Sequence, residues 1–283
     1  MLIAAISRQC RAAALARSAN VGCHYSHTYS HSHPRPLAAG TTEAASESSS
    51  TSNNSADDLK PSSASHSGPA FRYFSKRDAK FVLSATKPEH YKRIPPNPEV
   101  TFAGRSNVGK SSLLSAVLRS QGLVKTSKKP GHTSALNFFS LTSGSCPGAI
   151  SLVDMPGYGY RSRDEWGGFI MKYLSTRKEL RRVFLLIEAK VGELKATDLS
   201  FLELAEQYKA PVQIVLTKTD KMKRADLDSI CKTITQSATD IAPSVVQPTV
   251  ICCSSRTKIG IDDLQLELLR VCDLVPSGEP AKK

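Results

Sequence analysis

The stretch Gly104-Arg105-Ser106-Asn107-Val108-Gly109-Lys110-Ser111 has the spacing G-x-x-x-x-G-K-[ST], which serves chemistry on a polyphosphate. Glycines let successive backbone N–H groups turn inward around phosphate oxygens. A helix opening at the lysine presents its positive end to the same anion. Lys110 is then placed to bridge the β- and γ-phosphates. The Ser111 hydroxyl is placed to complete part of a Mg²⁺ shell, and Ser112 joins the nucleotide-contacting residues. A chance glycine-rich turn would meet the spelling too. The apolar strand Val100-Thr101-Phe102-Ala103 in front and a helical pattern behind make the phosphate loop the better reading.

A phosphate loop does not name a base, but three later segments do. Asp154-Met155-Pro156-Gly157 follows an apolar run at 149–153. There a carboxylate can hold the water shell of Mg²⁺, with the Gly157 amide near the γ-phosphate. Thr217-Lys218-Thr219-Asp220 follows the run 212–216. A carboxylate at Asp220 can accept from guanine N1 and N2 together, a pairing adenine does not offer, while the Lys218 stem covers the ring. Ser254-Ser255-Arg256 follows the run 250–253, where a backbone N–H can meet guanine O6. D-x-x-G and T-K-x-D are each common by chance. In this order, each at the carboxyl end of a strand, they aim at one crevice of a parallel sheet.

Strands and helices must carry these segments. Apolar runs at 81–83, 100–103, 135–141, 149–153, 183–187, 212–216 and 250–253 read as strands. Helical patterns span 164–180, 196–209, 223–238 and 261–272, the second with Leu199, Leu202 and Leu204-Ala205 on one side. Pro211 ends that helix and opens the next strand. Strands alternating with helices of this length give βαβ units, so the fold class is α/β: a mixed, mostly parallel sheet with helices on both faces. The runs 135–141 and 149–153, joined through Gly144, instead predict an antiparallel hairpin at a sheet edge. The stretch 86–99 fits no element. Residues 71–283 form one α/β domain, and residues 1–70 are leader and linker.

Composition narrows the setting. The chain has 283 residues with 38 Lys/Arg against 25 Asp/Glu, a net charge of +13. Residues 1–70 hold five of the basic and four of the acidic residues, leaving 33 and 21 for the folded part. So basic a domain suggests an anionic partner, RNA or a ribosomal particle before a membrane surface. No apolar run approaches the roughly 18 residues of a membrane span. Seven cysteines, scattered, with no C-x-x-C pair and with Cys252-Cys253 adjacent, argue against a disulfide framework or zinc ribbon and fit a reducing compartment. The first acidic residue is Glu43, and Arg8, Arg11, Arg17 and Arg35 punctuate an Ala- and Ser-rich start. That pattern predicts import into mitochondria, with plastids as the alternative. His24, His27, His31 and His33 lie in this leader without cysteine partners and are not expected to bind metal. Residues 41–69, dominated by Ser, Thr, Ala and Asn, lack the apolar mass to fold.

The run from Phe102 through Gly104-Arg105-Ser106-Asn107-Val108-Gly109-Lys110-Ser111-Ser112 to Leu114 resembles the phosphate loop of the EngB/YihA GTPases. These belong to the TrmE–Era–EngA–EngB–septin class. The likeness extends to Pro130-Gly131-His132-Thr133-Ser134, Asn137-Phe138-Phe139, Asp154-Met155-Pro156-Gly157-Tyr158-Gly159-Tyr160 and Thr217-Lys218-Thr219-Asp220, and covers about residues 78–272. The resemblance implies a P-loop G domain that hydrolyses GTP to GDP and assists assembly of the large ribosomal subunit. With the leader, it implies the mitochondrial ribosome in the matrix. It makes Thr133 the threonine of switch I that reaches Mg²⁺ only when a γ-phosphate is present, beside Ser111 and Asp154. It places Lys110, Thr133, Gly157 and Asn107 at the chemistry, since relatives with Asn at that loop position bind K⁺. A plain turn at Pro130-Gly131, and an Asn107 that bonds only within its loop, are the simpler alternatives.

One departure falls at Glu188-Ala189-Lys190-Val191-Gly192, where the family has an Asp-containing, Arg/His-rich stretch. That segment reads as lying outside the nucleotide motifs. Tyr158 stands where Ras-like GTPases carry a water-orienting glutamine, so unaided hydrolysis is expected to be slow. Basic clusters at Lys76-Arg77-Lys80, Lys125-Lys128-Lys129, Arg161-Arg163, Arg177-Lys178-Arg181-Arg182 and Lys221-Lys223-Arg224 are each a solvated face or a contact to rRNA phosphates. Tyr158, Tyr160 and Trp166 suit packing beneath switch II better than stacking on bases. A nucleotide-gated RNA-binding module with incidental turnover is the second reading, a P-loop ATPase or kinase the third. The expected state is a monomer.

Overall fold

The run Val183-Phe184-Leu185-Leu186-Ile187 has no polar side, and its surroundings explain why. Val183, Leu185 and Ile187 enter one hydrophobic core, and Phe184 and Leu186 enter another on the opposite face of the sheet. A parallel strand covered on both faces reads this way. The computed structural model describes residues 69–75, 77–120, 122–124, 135–144, 146–158 and 163–275. Among them the chain runs α1 (Pro69–Ser75), β1 (Arg77–Ala85), β2 (Glu99–Gly104), α2 (Lys110–Val117), β3 (Leu136–Ser143), β4 (Cys146–Asp154) and α3 (Arg163–Thr176). It continues through β5 (Leu180–Glu188), α4 (Ala196–Gln207), β6 (Val212–Thr217), α5 (Arg224–Ile241), β7 (Ile251–Cys252) and α6 (Ile261–Val271). Short 3-10 helices lie at Pro88–Arg93, Ala189–Val191 and Thr219–Lys221.

Across the sheet the strands lie in the order β1-β3-β4-β2-β5-β6-β7. From β4 to β7 all neighbours are parallel, while β3 runs antiparallel to both β1 and β4. One core takes Tyr173 of α3, Phe201 and Leu202 of α4, and Leu227 and Ile234 of α5. The other takes Phe74 of α1, Leu113 and Leu114 of α2, and Leu264 and Leu268 of α6. On α5 the buried Leu227, Cys231, Ile234 and Ala238 recur at helical spacing. Each large apolar side chain fully buried in this way contributes roughly 1.5–3 kcal/mol. The α/β class with helices on both faces is therefore as the sequence predicts.

Three expectations change. The hairpin β3–β4 is not the edge, because β1 pairs along β3 from Arg77 beside Ser143 to Ala85 beside Leu136. The sequence reveals only Phe81-Val82-Leu83 of this strand because a register shift between Phe81 and Leu83 breaks its alternation. The unassigned stretch 86–99 contains the 3-10 helix Pro88–Arg93, whose buried Tyr91 packs on Phe138 and Tyr173. The run 250–253 pairs only over Ile251–Cys252.

The parallel strands give the sheet two unlike rims. Gly104, Asp154, Thr217 and Cys252 close β2, β4, β6 and β7 at one of them. At the other rim Glu99 opens β2 with its side chain wholly buried. Its carboxylate accepts from the Tyr173 hydroxyl at 2.6 Å and from Arg177 Nη2 at 2.7 Å. The Arg177 guanidinium also lies over the Tyr91 ring, 5.7 Å from its centre. These contacts fasten the end of α3, the start of β2 and the 3-10 helix Pro88–Arg93 into one unit.

Candidate functional site

The loop between β2 and α2 must curl tightly. Asn107 (φ 64°) and Gly109 (φ 106°) supply the left-handed turns. Gly104 passes so close to β5 that a Cβ there would stand 2.8 Å from the Leu186 carbonyl oxygen. Helix α2 opens at Lys110 with no side-chain cap and no acidic residue in its first turn. Its first N–H groups are thus left for an anion. Donors from elsewhere take up the loop carbonyls. Lys110 Nζ donates to Gly104 O (2.9 Å) and Arg105 O (3.1 Å). Thr217 Oγ1 donates to Val108 O (2.8 Å) and Lys218 Nζ to Asn107 O (2.9 Å).

At the end of β4 the buried Asp154 Oδ2 accepts from Ser111 Oγ at 3.4 Å. Its other oxygen, Oδ1, is buried without a hydrogen-bond partner among the described residues. Burial pushes the carboxyl up to about 6, against the pull of Lys110 and the Ser111 hydroxyl. Burial also lowers the Lys110 ammonium to about 8, against the pull of Asp154. A buried, unsatisfied carboxylate oxygen beside a serine hydroxyl is a donor set that fits Mg²⁺. Ser111 and Asp154 would hold the ion, which when bound would supply positive charge against the nucleotide phosphates. Thr133, the third expected ligand, lies outside the described residues.

The base end is assembled by β6 and β7. Lys218 adopts a left-handed conformation (φ 58°), which costs a residue with a Cβ about 1–2 kcal/mol. Its ammonium holds the turn by bridging Asn107 O and Glu188 Oε2, the latter at 2.8 Å. Asp220 Oδ1 accepts from the Ser254 hydroxyl at 2.7 Å. That hydrogen bond holds the Asp220 carboxyl below the usual carboxylate range, with the Arg256 charge assisting against partial burial. Arg256 Nε lies 3.0 Å from Asp220 Oδ2 but is itself exposed. Ser254 is fully buried and also accepts from the Thr257 N–H at 3.1 Å. Ser255 lies between them in the same loop.

Switch II touches the phosphate loop directly. Ser106 N donates to Tyr158 O at 3.2 Å, and a Cβ added to Gly157 would stand 3.0 Å from Lys110 Nζ and from Ser106 Cα. Tyr158 is buried, stacks on Phe201 with ring centres 5.7 Å apart, and donates its hydroxyl to Asp198 Oδ1 at 2.7 Å. The other Asp198 oxygen accepts from the Lys195 N–H at the start of α4. A cavity of about 210 Å³ beside the loop is lined by Arg105, Ser106, Asn107, Glu188, Asp198 and Lys218, among others.

Two sequence readings need correction. Glu188 is not outside the nucleotide motifs, since it anchors Lys218; spacing alone could not reveal a pairing between the ends of β5 and β6. Arg177 and Arg182 are not free cations. The first is paired with Glu99 and the second with Glu267 and Gln213. Tyr158 is buried against Phe201 of α4. Switch I at 126–134, Tyr160 and the Trp166 side chain lie outside the described residues.

The fold and this crevice define a P-loop nucleotide-binding protein of the GTPase class. A family model described as "50S ribosome-binding GTPase" matches residues 99–218. The chain is 41% identical over 197 residues to a probable GTP-binding protein EngB of Desulforapulum autotrophicum, spanning 68% of this chain and 95% of that one. It is 40% identical over 195 residues to its namesake from Gluconobacter oxydans, spanning 66% and 82%. A crystal structure of a probable GTP-binding protein engB aligns at 21% identity with a TM-score of 0.47, covering 62% of this chain and 98% of that one. The chain belongs to the EngB family of GTP-binding proteins, and it is a GTPase.

Two outcomes are expected. Asp154→Asn removes a carboxylate whose folded-state pKa is raised to about 6 from an ordinary 3.8. Above pH 6 the wild-type group opposes folding, so urea unfolding without nucleotide or Mg²⁺ should find the variant more stable by about 1–3 kcal/mol at pH 8. At pH 5 the gain should be roughly half, because the folded carboxyl then carries its proton and the unfolded one does not. Ser254→Ala should weaken GDP binding about 10-fold, read by fluorescent-nucleotide titration. Its GDP binding should also fail at a higher pH than wild type, because Asp220 loses the bond that holds its pKa down.

Proposed function

We propose that this GTPase assists assembly of the large ribosomal subunit in the mitochondrial matrix. It grips the immature particle or its rRNA in the GTP state and leaves as GDP. The observation that carries the reading is the contact of Gly157 and Tyr158 with Ser106 and Lys110. A Cβ on Gly157 would stand 3.0 Å from both Lys110 Nζ and Ser106 Cα, so a γ-phosphate on Lys110 would press on the segment that leads into α3. The "50S ribosome-binding GTPase" match, the basic folded part and the acid-poor, arginine-bearing leader support the partner and the compartment.

In the reaction, water attacks the γ-phosphorus and GDP leaves. Lys110 and the first N–H groups of α2 stabilise charge on the departing oxygens. Tyr158 does not orient the water, because its hydroxyl is committed to Asp198. Unaided turnover is accordingly slow, on the order of 10⁻⁴–10⁻³ s⁻¹. The exposed Asn107 side chain makes no hydrogen bond among the described residues. It serves as a ligand for K⁺, whose charge replaces that of an arginine finger.

Co-sedimentation of the protein with mitochondrial large-subunit particles tests the reading. Binding with a non-hydrolysable GTP analogue and release with GDP, at fixed salt, is the expected result. Equal or absent binding in the two states would sink the switch. For the cation, the hydrolysis rate in K⁺ should exceed that in Na⁺ at least about 10-fold, and Asn107→Ala should erase the difference. Equal rates in the two salts would remove K⁺ from the mechanism.

A further inference from the structure

Resting on the ribosome reading above, we propose that the rim of the sheet opposite the nucleotide crevice is a binding surface for RNA phosphates. It is built from Lys92 and Arg93 at the end of the 3-10 helix Pro88–Arg93, and from Lys172 and Lys178 at the end of α3. All four side chains are exposed, and among the described residues none is engaged in an ion pair or hydrogen bond. This differs from much of the surface, where Lys80, Lys195, Lys209 and Arg119 each have a carboxylate.

Their grouping follows from the buried unit at that rim. Lys92 and Arg93 follow Tyr91, Lys172 precedes Tyr173 and Lys178 follows Arg177. The Tyr91 ring lies 6.1 Å from that of Tyr173 and 5.7 Å from the Arg177 guanidinium. Glu99 closes the unit through its bonds to Tyr173 and Arg177. The four cations thus stand on a fixed base and lose little backbone freedom on binding. Of the neighbouring acids among the described residues, Glu179 is taken by Arg177, leaving Glu89 as an exposed carboxylate.

Cations without an apolar centre suit a phosphate backbone. A protein interface wants a buried aromatic or aliphatic anchor, and among the described residues the large apolar side chain exposed beside the patch is Met171 alone. The surface is also remote from the crevice. Helix α3 begins five residues after Tyr158 and has 14 residues, a length of about 21 Å. RNA held here would not obstruct the nucleotide, and α3 joins the two regions.

The test is the quadruple variant Lys92→Glu/Arg93→Glu/Lys172→Glu/Lys178→Glu of the full chain. The probes are purified large ribosomal subunits and protein-free large-subunit rRNA, each with a non-hydrolysable GTP analogue. GDP affinity, basal GTP hydrolysis and thermal midpoint should match wild type, since none of the four residues touches the crevice. Affinity for both probes should fall about 100-fold at 0.15 M salt, and the log–log salt dependence on rRNA should flatten by about three. Wild-type affinity in the variant would overturn the surface while leaving the ribosome reading intact. Loss on subunits with unchanged affinity for naked rRNA would assign the patch to an acidic ribosomal protein, which also overturns it. Failure of the wild-type protein itself to bind either probe would remove the ribosome reading and this surface together.

Discussion

A loop that aims its N–H groups at phosphates must turn its carbonyls the other way, and those carbonyls need donors. Little in the loop's own composition can provide them. Lys110 serves Gly104 and Arg105 from within, while Thr217 and Lys218 reach across from the end of β6 to serve Val108 and Asn107. The T-K-x-D segment at the end of β6 therefore helps to hold the phosphate loop in shape. A buried carbonyl left without a donor costs about 1–3 kcal/mol, so the shape of the phosphate loop depends on the turn that follows β6. Glu188 extends the constraint by fixing the ammonium that Lys218 uses.

The two rims of the sheet handle charge in opposite ways. At the crevice, Asp154 keeps a buried oxygen without a partner among the described residues, and burial shifts both its carboxyl and the Lys110 ammonium toward neutrality. Stability is sacrificed there because the missing partners are the ones a metal–nucleotide complex brings. At the far rim Glu99 is equally buried but fully matched by Arg177 and Tyr173. Breaking such a pair by removing one partner typically costs about 3–5 kcal/mol. The far rim is thus a fixed point against which the crevice end can move.

The segment Gly157-Tyr158 is fastened on two sides. Tyr158 is tied by its carbonyl to Ser106 of the phosphate loop and by its ring and hydroxyl to Phe201 and Asp198 of α4. A residue held on both sides transmits displacement from one to the other, because packed contacts exchange between discrete arrangements rather than stretch. The same fastening is why a tyrosine here cannot orient a water.

Much of this was legible in the chain itself. The G-x-x-x-x-G-K-S spelling, D-x-x-G and T-K-x-D name their chemistry locally, because each needs particular residue types at fixed backbone spacing. The alternation of apolar runs and helical patterns fixes the α/β class for the same local reason. What stayed hidden depends on partners distant in sequence. The bulge at Phe81–Leu83 concealed β1 until its pairing with β3 was known. Glu188 looked peripheral until β5 and β6 lay side by side, with Glu188 opposite Thr217. Arg177 and Lys178 are indistinguishable as letters in a basic run. Tertiary packing buries the first against Glu99 and leaves the second in solvent, since a buried cation persists only where a carboxylate meets it.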